Sequence, residues 1–122
     1  MMARILVVEG DLWSRRLMLE LLSLRGHEVQ CAASVGDGRT QLDAVTFDAV
    51  LLDVHTPGGG GKILLREIHE DHAVMPVIAL TASAMAGDRE RFLADGFTGH
   101  ISKPIDVKSF GETVEGYLLP QL

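Results

Sequence analysis

Only one cysteine, Cys31, stands in the chain. One thiol can neither close an intrachain disulfide nor gather a thiolate cluster around a structural metal, and its isolation suits a reducing compartment. Basic residues are scarce as well, 11 against 17 acids, and they form no cluster. The formal charge is -6 and the pI about 5.2. Such a balance argues against a nucleic-acid partner, whose phosphate backbone calls for clustered cations, and suits a cationic protein surface better. Long apolar runs are missing too. The segment Met1–Val8 is too short for a membrane span or a signal peptide and has no cleavage region, so the expectation is a cytoplasmic protein without a membrane partner. Repeats, linkers and low-complexity stretches are also absent. With 122 residues, 47% of them hydrophobic, the chain is expected to be a single domain over residues 1–122 around one sizeable core.

What is present is a set of short apolar runs that end on polar residues. Asp48–Asp53 holds four consecutive apolar residues without alternation, the pattern of a strand buried on both faces, and delivers Asp53 to its carboxyl end. Ile5–Val8 runs in the same way into Glu9, Gly10 and Asp11, and Val77–Leu80 into Thr81. Glu28–Ala33 reads as an edge strand and Phe97–Ile101 as a short fifth strand. Helices are expected between them. Asp11 caps the first, with Leu17, Leu21 and Leu24 at helical spacing and Gly26 as its stop; Trp13 lies exposed in its first turn. A poorly patterned second helix covers 36–45. The third turns Leu64, Leu65 and Ile68 inward after a turn of Pro57 and four glycines, which imply a flexible approach. The fourth runs from Ala84 to Asp95 with Phe92 and Leu93 on its packing face and Gly96 ending it. The last carries Val107, Phe110, Val114 and Tyr117. Five alternations of strand and helix predict an α/β fold, a doubly wound parallel sheet with helices on both faces.

In such sheets the carboxyl ends of the strands form the crevice where ligands collect. Glu9, Asp11, Asp53, Thr81 and Lys103 all fall there. Neighbouring carboxylates raise one another's pKa unless a cation intervenes, and Lys103 and Mg²⁺ are the obvious candidates. Magnesium takes oxygen ligands, usually one or two carboxylates with phosphate oxygens and water. Two other patterns are rejected. Gly58–Lys62 lacks the first glycine and the final Ser or Thr of a phosphate-binding loop, and His69 with His72 lacks the i, i+4 spacing of zinc proteases, which leaves a solvated helix end.

The motifs Ile5–Glu9, Leu51–Asp53 with Pro57 and Gly61, Ala79–Ser83, and Ser102-Lys103-Pro104, in this order and spacing, make the chain resemble the receiver domain of two-component response regulators over essentially its whole length. The resemblance implies a flavodoxin-like five-stranded sheet in the order 2-1-3-4-5 and a cis bond between Lys103 and Pro104. It further implies a signalling domain in a phosphorelay rather than an enzyme. Asp53 is then the phosphoacceptor, charged by a sensor histidine kinase or a histidine phosphotransfer protein. Thr81 and Lys103 hold the phosphoryl oxygens, and His100 stands at the position of the family's rotating aromatic switch residue. Glu9, Asp11, Asp53 and the backbone carbonyl of His55 are the implied Mg²⁺ ligands, and Pro57, Gly61 and Pro104 shape the backbone. A downstream protein target reads the switched face.

Four positions depart from that pattern. Gly10 replaces the second of two adjacent acids, the direct metal ligand, which weakens the expected Mg²⁺ site; Asp11, next to it, is expected to turn and cap the helix. His100 replaces Tyr or Phe and could add pH sensitivity. Thr56 stands where relatives often have Met, and the glycine run after Pro57 predicts a mobile loop. The alternative reading is a degenerate receiver that works as a phosphorylation-independent interaction module. A flavin- or nucleotide-binding enzyme on the same fold is a third, which would announce itself by a coloured or nucleotide-bound preparation.

Overall fold

The computed structural model describes residues 2–56, 60–71, 74–82 and 85–118. Five strands, β1 (Arg4–Val8), β2 (Glu28–Ala32), β3 (Ala49–Asp53), β4 (Val77–Thr81) and β5 (Gly99–Ser102), alternate with α1 (Leu12–Leu24), α2 (Val35–Ala44), α3 (Gly61–Asp71), α4 (Asp88–Asp95) and α5 (Phe110–Tyr117). All pairings are parallel and the strand order is β2-β1-β3-β4-β5. β3 and β4 are buried at every residue and β1 at four of five, because side chains of a central strand face helices on both sides.

Alternate residues of each strand feed two cores. Leu6, Val8, Val50, Leu52, Val77 and Ala79 pack with Leu64, Leu65 and Ile68 of α3 and Phe92 of α4. Ile5, Val7, Leu51, Ile78 and Leu80 pack with Met18 and Leu22 of α1 and Phe110 and Val114 of α5. Each such side chain taken fully from water contributes about 1.5–3 kcal/mol, so the two layers together fix the strands' register. Asp11 caps α1 by accepting from Ser14 N at 2.8 Å, and Ser34 caps α2 through Asp37 N at 3.2 Å. The left-handed φ of Gly26, +92°, ends the first of these helices as expected. Trp13 is 72% exposed.

Some boundaries differ from the sequence reading. In α1 the buried pair is Met18 and Leu22, while Leu24 is 80% exposed at the helix end. α4 begins at Asp88 rather than Ala84, which lies outside the described residues. Gly87 has φ +88°, a conformation that breaks the helix, and the Asp88 carboxylate accepts from the N–H of Met85. With Phe92 fixed in the core, Leu93 falls one position round the helix and is exposed. Phe97 is not a strand residue. Its N–H closes the end of α4 on Phe92 O, beyond Gly96 at φ +109°, and β5 starts only at Gly99. Asp106 likewise folds a turn onto Lys108 N and Ser109 N, so α5 starts at Phe110 and Val107 points outward. His69 is no solvated end residue: its Nε2 meets Gly96 O at 2.5 Å. His72, Pro57 and the first two glycines of the loop lie outside the described residues, as does the expected mobility there; Gly61 is the first residue of α3.

Candidate acidic site at the carboxyl edge

Hydrogen-bonded neighbours in the sheet bring the ends of β1, β3, β4 and β5 together. Glu9 N donates to Ala32 O, which carries the chain one residue past β1 beside β2. The side chain of Glu9 is thereby buried, at 1% exposure, and Asp53 at the end of β3 is 7% exposed. Lys103 N donates to Thr81 O at 2.7 Å, drawing the β5 end against β4, and the cis bond to Pro104 follows. From there the Lys103 ammonium reaches Asp53 Oδ2 at 2.8 Å and Glu9 Oε2 and Oε1 at 3.0 and 3.2 Å. One cation therefore sits between two buried carboxyl groups.

The two acids respond differently. Burial, the largest influence on Glu9, raises its pKa; the Lys103 bond and the Asp11 N–H at 3.1 Å offset this only in part, and the nearby Asp53 adds to the rise. Burial opposes the charged form of Asp53 as well, but the Lys103 bond and the N–H of His55, 2.8 Å from Oδ1, outweigh it and hold the carboxyl below its ordinary value. The two carboxylates likewise raise the pKa of Lys103 against the effect of burial. Asp53 thus stays ionised with one oxygen toward the lysine, the form a nucleophile needs.

The remaining expected residues divide. Thr81, 2% exposed, lies at the end of β4 beside the acids. His100 is on β5, half-buried, its ring centroid 5.6 Å from that of Phe92. Asp11 is turned away: its carboxylate is spent on the cap of α1, whose Ser14 N–H lowers its pKa. His55 is exposed, and its N–H orients Asp53. Among the described residues no three acids, histidines or cysteines converge on a metal position. The carboxyl groups left at this edge are Glu9 and Asp53, within the one or two protein carboxylates that Mg²⁺ commonly takes.

Two residues not anticipated at the site hold its backbone. Thr56 Oγ1 donates to Asp53 O at 2.8 Å and reaches Val8 O at 3.3 Å, locking the turn after β3 to the end of β1. Arg15 Nη1 donates to Glu9 O and Gly10 O at 2.9 and 3.0 Å. Neither has a sequence signature beyond its type, because both act on carbonyls far away in the chain or across a helical turn. Beside the site, Trp13, Leu17, Lys103 and Pro104 edge a shallow groove of about 180 Å³.

With this geometry in view, residues 5–115 match the family model of the response regulator receiver domain. The chain is 34% identical over 119 residues to the polar-differentiation response regulator DivK of Brucella ovis, covering 93% of this chain and 94% of that protein. It is 32% identical over 123 residues to hybrid signal transduction histidine kinase I of Dictyostelium discoideum, 91% of this chain but only 7% of that far longer protein. Among solved structures, a CheY-like receiver domain protein of Methanospirillum hungatei superposes with a TM-score of 0.84 at 27% identity, covering 95% of this chain and 93% of the other. Chemotaxis protein CheY4 of Vibrio cholerae gives 0.88 at 23% identity over 97% and 100%, a likeness of fold.

Proposed function

The chain belongs to the response regulator receiver domain family of two-component signalling, and on that premise we propose that Asp53 is its phosphoacceptor. The observation that carries this reading is the Lys103 ammonium, 2.8 Å from the Asp53 carboxylate and 3.0 Å from Glu9 at the carboxyl edge of the sheet. The donor is the phosphohistidine of a sensor histidine kinase or a histidine phosphotransfer protein. One Asp53 oxygen attacks phosphorus, the N–P bond breaks, and the imidazole leaves with the electron pair. Lys103 neutralises charge on the phosphoryl oxygens, and Thr81 holds the product through its hydroxyl. The His55 N–H keeps the carboxylate oriented. Mg²⁺, held by Glu9, Asp53 and the His55 carbonyl with lowered affinity for want of an acid at Gly10, would add positive charge to the transferred oxygens. Gly61, at the start of α3, and Pro104, after the cis bond, shape the backbone around them.

The dianionic product biases a two-state element, and His100 against Phe92 is the piece able to repack between β5 and α4. A downstream protein reads that face; the groove beside Trp13 suits the phosphodonor protein. The domain is signalling rather than enzymatic, spans residues 1–122, and works in the cytoplasm; no helix among the described residues is long and apolar enough to cross a membrane.

Acetyl phosphate or beryllofluoride with Mg²⁺, followed by intact mass and Trp13 fluorescence, tests the assignment. A phosphoryl adduct in the natural protein and none in Asp53→Asn is expected. Complete inertness of the natural protein, with activity gained in Gly10→Asp, would instead establish a receiver that acts by binding alone.

A further inference from the structure

Four arginines among the described residues are paired with an acid: Arg4 with Glu28, Arg25 with Glu115, Arg39 with Glu67 and Arg91 with Asp88. Arg15 is not. It is half-buried near the start of α1, forms no ion pair among the described residues, and directs Nη1 to two successive backbone carbonyls, Glu9 O at 2.9 Å and Gly10 O at 3.0 Å. A guanidinium drawn partly out of water needs strong acceptors, and this one finds them in the segment that carries Glu9 to Lys103. That segment is anchored on either side. Glu9 N donates to Ala32 O, and the Asp11 carboxylate caps α1 on Ser14 N while the Asp11 N–H returns to Glu9 Oε1 at 3.1 Å. Between the anchors stands Gly10, the residue type that loses most freedom when ordered, and Arg15 bonds the carbonyls on both sides of its α-carbon.

We propose that Arg15 is a positioning residue of the phosphoacceptor site, holding the Glu9–Gly10 backbone so that the Glu9 carboxyl group stays on the Lys103 ammonium and Lys103 stays shared between Glu9 and Asp53. The inference rests on the reading of Asp53 as phosphoacceptor. Lys103 lies 3.0 and 3.2 Å from the two Glu9 oxygens and 2.8 Å from Asp53 Oδ2, so the ammonium is balanced between the acids. Were Glu9 to swing away, Lys103 would close on Asp53 alone and mask the attacking oxygen instead of meeting the phosphoryl oxygens. Arg15 bonds neither Asp53 nor Lys103 and acts through the backbone it holds. Its charge persists at every working pH, so the hold does too.

The Lys103 ammonium supplies the test, since the only other lysines, Lys62 and Lys108, are exposed. In ¹⁵N spectra of the intact chain its resonance should stand apart from theirs by slow exchange with water. Arg15→Met, checked for folding by its backbone spectrum, should move that resonance and speed its exchange, as Glu9→Gln does. It should also slow adduct formation with acetyl phosphate about tenfold or more, since misplacing a reacting group by about 1 Å costs about a hundredfold. Arg15→Lys, whose ammonium also donates more than one bond, should keep the resonance and a rate within about threefold of the natural protein. Arg16→Met, the same loss of charge at the exposed neighbouring position, should change neither. An unmoved Lys103 resonance in Arg15→Met, or an equal loss in Arg15→Lys or Arg16→Met, overturns the inference whether or not Asp53 accepts a phosphoryl group. A natural protein inert to acetyl phosphate, whose Lys103 resonance still moves in Arg15→Met, overturns the phosphoacceptor reading alone.

Discussion

Two ionic clusters stand at opposite ends of the sheet and balance their charges differently. At the carboxyl edge two buried acids share one lysine. At the amino edge one acid, Glu115 of α5, serves two bases: Arg25 binds it through two nitrogens at 2.7 and 2.8 Å, and His27 Nε2 lies 2.7 Å away. The His27 side chain is fully buried and accepts Ala3 N–H on Nδ1, so its proton resides on Nε2 and points at Glu115. The stem of Arg25 fills the place of a side chain at Gly111, where a Cβ would come within 2.1 Å of it. Every charge in this second cluster is answered, and Glu115 is held down to about 2, first by Arg25 and then by His27. The first cluster sets two carboxyl groups against one cation, and burial, with Asp53 adding to it, leaves the pKa of Glu9 raised. A satisfied cluster ties α5 to the turn after α1; an unsatisfied one is ready to receive further positive charge or a change of ligand.

The contrast breaks most sharply at Lys103. Lys103→Met leaves two buried carboxyl groups without a cation, and chemical denaturation at neutral pH should show a loss of about 3 kcal/mol that shrinks as acid neutralises them. Adduct formation with acetyl phosphate should fall at least a hundredfold, near the cost of removing a charge-stabilising donor. Next in size, Glu115→Ala strands the buried His27 N–H and frees Arg25, costing about 1–3 kcal/mol with adduct formation intact. Glu9→Gln should act in the opposite sense and raise the unfolding free energy at neutral pH, since burial penalises the charged form of Glu9 by more than Lys103 returns. Equal signs for the two glutamate variants would erase the distinction.

The smallest effect is in the pH profile. Glu115 ionises near 4.5 when unfolded and near 2 when folded, so its contribution is complete above 4.5 and lost as pH falls toward 2. Glu9 is shifted the other way, so its penalty is absent below 4.5 and grows as pH rises through its raised folded value. Stability curves of Glu115→Gln and Glu9→Gln against pH should therefore lose slopes of opposite sign.

The central strands and the residues of the acidic edge were legible in the sequence because β1, β3 and β4 are short unalternating apolar runs that end on a functional group, Val8 before Glu9, Leu52 before Asp53 and Leu80 before Thr81, whereas the strand order was implied by the resemblance to receiver domains. Helix phases were less legible. Val107 and Leu93 fit an apolar stripe, yet a capping turn at Asp106 and the left-handed Gly87 shifted where their helices begin. The lysine bridge was foreseeable in kind, whereas the clamp of Arg25, His27 and Glu115 was not, since its members are 88 to 90 residues apart and none follows a motif.

Local pattern alone therefore determined that this chain forms a parallel α/β sheet presenting Asp53 at its edge, since burial on two faces demands continuous apolar strands. Tertiary structure alone decided the charge balance of each cluster, the withdrawal of Asp11 to a helix cap, and the hold of Arg15 on the backbone after β1. These depend on which distant side chains meet in space and on how far burial and pairing shift the cost of their charges.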